Sequence, residues 1–246
     1  MPSQDEPALA PIYLELAPQS GAPAPVDHLF AFRDCGKLSG RGTGRFATDL
    51  FTLSVTLRTG AGALGRPRFL LAPPRPAFRP RRAPFSGAIV GLRLGAAPDR
   101  APSDEALEEL TPAPLAVARE GGPLSALVVA LDRVACARTF GQGPPAPASA
   151  RSERRSIRAA TGISRRRLAA IRRFRHLLDG LAASEQPLSD VALEAGYYDQ
   201  PHMSAACRAF AGNPPGAIRR LAGAQSAGRF FQDDALDNRL RLVIDA

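Results

Sequence analysis

The stretch ALEAGYYDQPHMSAACRAFAG, residues 192–212, decides how the second half of this chain folds. A small-residue segment closes on Gly196, two tyrosines follow, and Asp199-Gln200-Pro201-His202 opens a second segment. Asp199 suits an N-cap and Pro201 the first helical turn, where a missing N–H costs nothing and a preset φ helps. Met203, Ala206, Cys207 and Phe210 recur at i, i+3, i+4 and i+7 and so share one apolar face of a helix that ends at Gly212. Gln200, His202, Ser204 and Arg208 fall outside that face. Upstream, PLSDVALEAG (187–196) begins with proline and closes on glycine, as a short helix does. Two short helices joined by a glycine-containing turn, with polar residues opening the second, define a helix-turn-helix.

The helical pattern extends from Ser149 to Leu221. In SRRRLAAIRRFRHLLDGLAAS (164–184), Leu168, Ile171, Phe174, Leu178 and Leu181 form one stripe, and Arg165, Arg166, Arg172, Arg173 and Arg175 occupy the rest of the circumference. PPGAIRRL (214–221) opens a further helix. Charge is concentrated in the same place. The chain of 246 residues carries +9, of which residues 149–222 hold +7, from 13 basic and 6 acidic side chains. Such a segment attracts a polyanion, although a basic face turned to water is the plainer reading of charge alone. Lys37 is the only lysine, and with the abundance of Ala, Gly and Pro this reflects a GC-rich bacterial coding bias rather than a choice of guanidinium for phosphate.

Residues 12–95 read as short strands bounded by Gly, Pro or Asp: HLFAFRD (28–34), DLFTLSVTLRTG (49–60), RFLLAPP (68–74) and GAIVGLRLG (87–95). Phe51, Leu53, Val55 and Leu57 alternate with polar residues, which predicts one buried face. PPRPAFRPRRAP (73–84) reads as an exposed connection whose arginines could hold an anion, a solvated loop being the simpler alternative. SDEALEELTP (103–112) predicts a capped helical turn and GGPLSALVVALDRVACARTFG (121–141) a helix, followed by the proline-rich break GQGPPAPASA (141–150). The expected fold is α+β in two domains: a β-rich sensor-like domain over 1–120, a helix and proline-rich connection over 121–148, an all-α domain over 149–222 and a tail over 223–246. The tail, ending RFFQDDALDNRLRLVIDA (229–246), mixes apolar and acidic residues; a docking strand is one reading, and its sequence assigns it no role.

DVALEAGYYDQPHMSAACRAFAGNPPGAIRR resembles the C-terminal helix-turn-helix of AraC-type bacterial transcription regulators. The matching residues are Val191-Ala192, Gly196-Tyr197, Asp199-Gln200, His202, Ser204, Arg208, Phe210, Gly212, Pro214 and Arg219. RRRLAAIRRFRHLLDGL is similar to the long helix that joins the two helix-turn-helix units of that family. SARSERRSIRAATGIS (149–164) is similar to the first recognition helix, with Ser149, Arg151, Ser152, Arg155, Ile157, Thr161 and Gly162 in line. The pieces YLELAP, HLFAFRD and VGLRLGAAP are similar, more loosely, to a sensor-type domain of some members. Ala205 stands where the family has Arg, Cys207 where it has an aromatic, Glu153 where it has an apolar residue and Ser156 where it has Arg. The helix that should brace the first unit falls on Pro144, Pro145 and Pro147, which a helix interior excludes, so that unit is expected to be irregular.

The resemblance implies a cytoplasmic, sequence-specific regulator that binds double-stranded DNA through the major groove, mainly with helix 199–211. The implied DNA-binding residues are Ser149, Arg151, Ser152, Arg155, Arg165, Arg166, Gln200, His202, Ser204 and Arg208. Gln200 and His202 are the candidate base readers, since an amide can pair bidentately with adenine and an imidazole can donate to guanine. His202 could instead only pack or cap the helix. Arg208, Arg165, Arg166 and Arg172 are the candidates for phosphate. A small-molecule effector at the N-terminal domain, RNA polymerase and a second copy of the chain are the further partners implied. The alternative is a degenerate paralogue with weak DNA binding that acts through protein partners. Cys207 reads as core, while Cys35, Cys136 and Cys207 suggest neither a disulfide framework nor a metal site. Asp27 and His28 look too isolated for catalysis. With no serine elbow, phosphate loop or zinc helix, the sequence predicts no enzyme, cofactor, metal site or membrane span.

Overall fold

A computed structural model describes residues 12–19, 26–35, 44–60, 63–64, 68–81, 85–96, 129, 131–133, 135, 155, 158–221 and 240–245. Nine strands are described: β1 (Ile12–Leu16), β2 (Val26–Cys35), β3 (Gly44–Arg45), β4 (Phe51–Gly60), β5 (Ala63–Leu64), β6 (Arg68–Ala72), β7 (Arg79–Pro80), β8 (Ser86–Leu94) and β9 (Leu240–Asp245). An antiparallel sheet runs β5-β4-β8-β2-β1-β9, with β6 also on β4. β3 and β7 form a separate two-stranded clip. The helical half contributes α1 (Arg165–Ala183), α2 (Leu188–Glu194), α3 (Gln200–Ala211) and α4 (Pro215–Leu221).

Alternation along the strands sorts the sheet into two faces. Leu16, Leu29, Ala31, Leu53, Val55 and Leu92 bury on one, covered by Leu131 and Ala135, both helical. The remaining residues of the expected helices 103–112 and 121–141 lie outside the described residues, as do Pro144, Pro145 and Pro147. The opposite face differs from expectation, because Thr52 and Ser54 are 7% and 5% exposed instead of solvated. That face carries a cluster of Phe30, Phe85 and Ile89 with Tyr13 and Phe32 against it, together with buried polar side chains. Arg93 donates to the Thr52 hydroxyl, which satisfies a group that burial would otherwise leave unpaired. The C-terminal segment re-enters the sheet as an edge strand, with β9 pairing antiparallel to β1 from Ile12↔Asp245 to Leu16↔Leu240.

The helical core gathers Ile171, Phe174, Leu178 and Leu181 from the stripe that the 3.6-residue period predicts, joined by Leu177, Val191, Met203 and Phe210. One member comes from the other half of the chain: Ala47, next to β3, is 4% exposed within this core, and Phe46 packs against it.

Candidate nucleic-acid interface

The C-terminal end of α2 and both ends of α3 are fixed by local devices. Gly196 (φ 76°) closes α2, and the amide of Tyr197 turns back to the Ala192 carbonyl at 2.9 Å. Asp199 then caps α3, its Oδ1 accepting from the His202 amide at 2.7 Å. Gly212 ends α3 in the left-handed region at φ 75°, its amide donating to the Arg208 carbonyl at 3.0 Å. A left-handed C-terminal glycine of this kind satisfies carbonyls that the helix end leaves open. Met203, Cys207, Phe210 and Ala211 bury the back of α3. Burial pushes the Cys207 thiol up to about 12, the state of a core cysteine rather than a reactive one.

The front of α3 presents Gln200, Pro201, His202, Ala205 and Arg208, all exposed, with Ser204 half-buried. The His202 ring meets Tyr197 edge-on at 5.2 Å between centroids, so packing orients the imidazole while leaving it accessible. Tyr197 is itself buried against Arg173, whose guanidinium lies 5.7 Å from its ring centre. Tyr198, 87% exposed, and Leu193, 61% exposed, flank the turn. Neither carries a polar signal that would single it out in the sequence. Among the described residues no group of three His, Cys, Asp or Glu side chains could hold a metal ion. No helix among them is long and apolar enough to cross a membrane.

The arginines divide between two surroundings. Arg155, Arg165 and Arg166 are exposed ahead of and at the start of α1, which Ser164 caps by accepting from the Arg167 amide at 3.3 Å. Ser149, Arg151 and Ser152 lie outside the described residues. Arg172, read from sequence as a phosphate candidate, is engaged within the protein: its Nε donates to Asp49 Oδ2 at 2.9 Å. Arg175 is bound twice, to Asp27 at 2.8 Å and to Asp49 at 3.2 Å. Arg167 donates to the Pro76 carbonyl at 2.8 Å and covers the Phe210 ring at 4.4 Å. Both carboxylates come from the β-sheet half, so one side of α1 is committed to it.

Asp27 and His28 are not isolated. His28, 2% exposed, holds Asp27 at 2.7 Å and faces Glu15 at 3.5 Å, and the Tyr13 hydroxyl donates to Glu15 at 2.5 Å. Burial works against charge at Glu15, Asp27 and His28, yet there the partners prevail. The His28 charge, its hydrogen bond and the Tyr13 hydroxyl bring Glu15 down to about 2. His28 and Arg175 hold Asp27 well below the usual carboxylate range, and Glu15 and Asp27 raise His28 above 6.5. Burial, then Glu15, raise the Tyr13 hydroxyl above the ordinary tyrosine range. This buried chain of charges runs from β1 to α1. Sequence could not show it, because its members are scattered along the chain and only the β1–β2 register and the packing of α1 unite them.

The clip made by β3 and β7 sits against the far end of α3. The Ala47 amide donates to the Phe210 carbonyl at 2.8 Å and the Phe78 amide to the Ala209 carbonyl at 3.1 Å. Phe46 packs edge-on against Phe174 at 6.4 Å, and a Cβ placed on Gly212 would meet the Phe78 ring at 2.4 Å. The N-terminal end of α3 stays open while its other end is held.

Two helices around a tight glycine turn, the second capped by Asp199 and presenting polar side chains from its first turn, are the geometry of a helix-turn-helix domain. Residues 146–221 match the family model of a helix-turn-helix domain. The segment is of AraC type, the DNA-binding module of that class of transcription regulator. No curated protein and no solved structure matches the chain.

Proposed function

We propose that this protein is a sequence-specific transcription regulator that inserts the first turn of α3 into the major groove of double-stranded DNA. The observation that carries the reading is the pair Gln200 and His202, exposed beside the Asp199 cap on a helix whose opposite side is buried. A helix fits the groove with its N-terminal residues at the base edges, while arginines and helix N-termini hold phosphates. Gln200 and His202 are the base readers in this account, with Ser204 beside them and Arg208 on a phosphate. Ser149, Arg151, Ser152, Arg155, Arg165 and Arg166 belong to a first unit that α1 joins to the second, about one turn of DNA, ~34 Å, away.

Residues 149–222 act as the reader and residues 1–120 as a sensor, through a small-molecule effector or a second copy of the chain. The support is the clip and the Arg172–Asp49 and Arg175–Asp27 pairs, which join the sheet to α1 and α3. RNA polymerase is the partner through which such a regulator would act, and no catalytic role is assigned to the sheet. The test compares variants on a cognate duplex and a scrambled one. Gln200→Ala with His202→Ala should erase the preference between them, while Arg208→Ala or Arg165→Ala should weaken both alike and flatten the salt dependence. Equal loss on both duplexes in the Gln200/His202 variant removes the base-reading role. It would favour the second reading, a paralogue acting through protein partners, to which Ala205 on the reading face already points.

A further inference from the structure

The clip carries a feature that holding α3 does not require. Arg45 and Arg79 stand directly opposite one another in the β3–β7 pair, and both side chains are exposed. Like charges directly opposite across a strand pair destabilise it. Neither guanidinium is paired with a carboxylate among the described residues, whereas Arg172 and Arg175 each hold one. Arg75, half-buried and donating to the Phe46 carbonyl at 2.9 Å, adds a third guanidinium on the inner side of the clip. Burial first, and then the neighbouring arginines Arg93, Arg45 and Arg79, bring Arg75 down to about 10. Gly44 leaves no room for a side chain, since a Cβ there would meet the Arg79 carbonyl oxygen at 2.3 Å. The two strands are therefore pressed together with their positive side chains side by side.

We propose that Arg45 and Arg79 form a second phosphate contact, one that the β-sheet half supplies to the DNA on which α3 docks. The inference rests on the DNA-binding reading above and extends it to residues outside the helix-turn-helix segment. Position favours duplex phosphates as the anion. Arg79 follows Phe78, whose amide holds the Ala209 carbonyl, and Arg45 lies two residues before Ala47, whose amide holds the Phe210 carbonyl. The pair is thus fixed to the last turn of α3, the same turn that exposes Arg208. A helix of 12 residues is about 18 Å long, against a major groove about 12 Å wide. With the first turn of α3 at the base edges, its last turn emerges at the groove wall, where the phosphates run. A phosphate between the two guanidiniums would also relieve their mutual repulsion.

The test uses the full chain and a random-sequence duplex over a salt series, comparing Arg45→Ala/Arg79→Ala with Arg58→Ala/Arg68→Ala. The control removes the same charge from exposed arginines elsewhere on the sheet. Each neutralised phosphate contributes about 0.9 to the slope of log affinity against log salt, so the clip variant, which loses the one phosphate shared by the two guanidiniums, should lose about 0.9 and the control nearly nothing. Its melting temperature should equal or exceed that of the parent, because an opposed like-charge pair is gone. A slope equal to the parent's, or an equal fall in the control, overturns the clip contact and leaves DNA binding by α3 standing. A parent protein that binds no duplex overturns both.

Discussion

The backbone amide of Phe78 donates to the carbonyl oxygen of Ala209 at 3.1 Å, so the β-sheet half of the chain closes the last turn of the helix that carries Gln200 and His202. The final carbonyls of a helix have no partner within it, and here Phe78 and Ala47 supply two of the missing donors. Changes in the sheet half can therefore reach α3 through bonded contacts.

Gly212→Ala meets two obstacles, a left-handed φ of 75° and the Phe78 ring. The backbone conformation alone costs an L-residue about 1 kcal/mol, and displacement of the ring adds to it. Urea denaturation should show a loss of about 2 kcal/mol, with amide exchange faster over 208–212 than over α2. An unchanged midpoint would mean that Phe78 does not pack where it is described.

Asp49 is 3% exposed at its side chain and answers both Arg172 and Arg175. Asp49→Ala leaves Arg175 with Asp27 only and should cost about 2 kcal/mol, less than a fully buried pair because Arg172 is 69% exposed. Arg172→Ala should cost under about 1 kcal/mol. A double-mutant cycle between Asp49 and Arg175 should give a coupling of at least about 0.5 kcal/mol, and independence of the two would break the link between sheet and α1.

Stability should fall on both sides of a plateau as pH changes. Glu15 is depressed from 4.5 to about 2, and Asp27 is depressed as well, so their contribution is complete above the unfolded values and vanishes as pH drops through the folded ones. His28 is raised above 6.5, so its contribution is complete below that value and vanishes as pH climbs through its folded pKa. Denaturation midpoints from pH 2 to 9 should show both losses, and His28→Gln should flatten the upper one. Persistence of the upper decline in that variant would place its origin elsewhere.

The helix-turn-helix was legible because its signals are local: Gly196, Asp199, Pro201 and Gly212 each set the backbone within one turn, and Met203, Cys207 and Phe210 declare the buried side by spacing. The strands were legible too, since Phe51, Leu53, Val55 and Leu57 alternate within ten residues. What escaped was carried by long-range pairing. The burial of Thr52 and Ser54 follows from what covers the second face, not from their own strand. The placement of β9 beside β1, and of Phe46 and Phe78 against α1 and α3, depends on topology that periodicity does not encode.

The central claim is that α3 reads sequence. Its most direct test is the affinity of the full protein for its own promoter region and for a scrambled duplex of equal length, from low to near-physiological salt. A preference that persists at near-physiological salt is the predicted result, because base-edge contacts survive when counterion release no longer drives binding. Equal and steeply salt-sensitive binding to both would contradict it and leave a basic helical domain without a reading function.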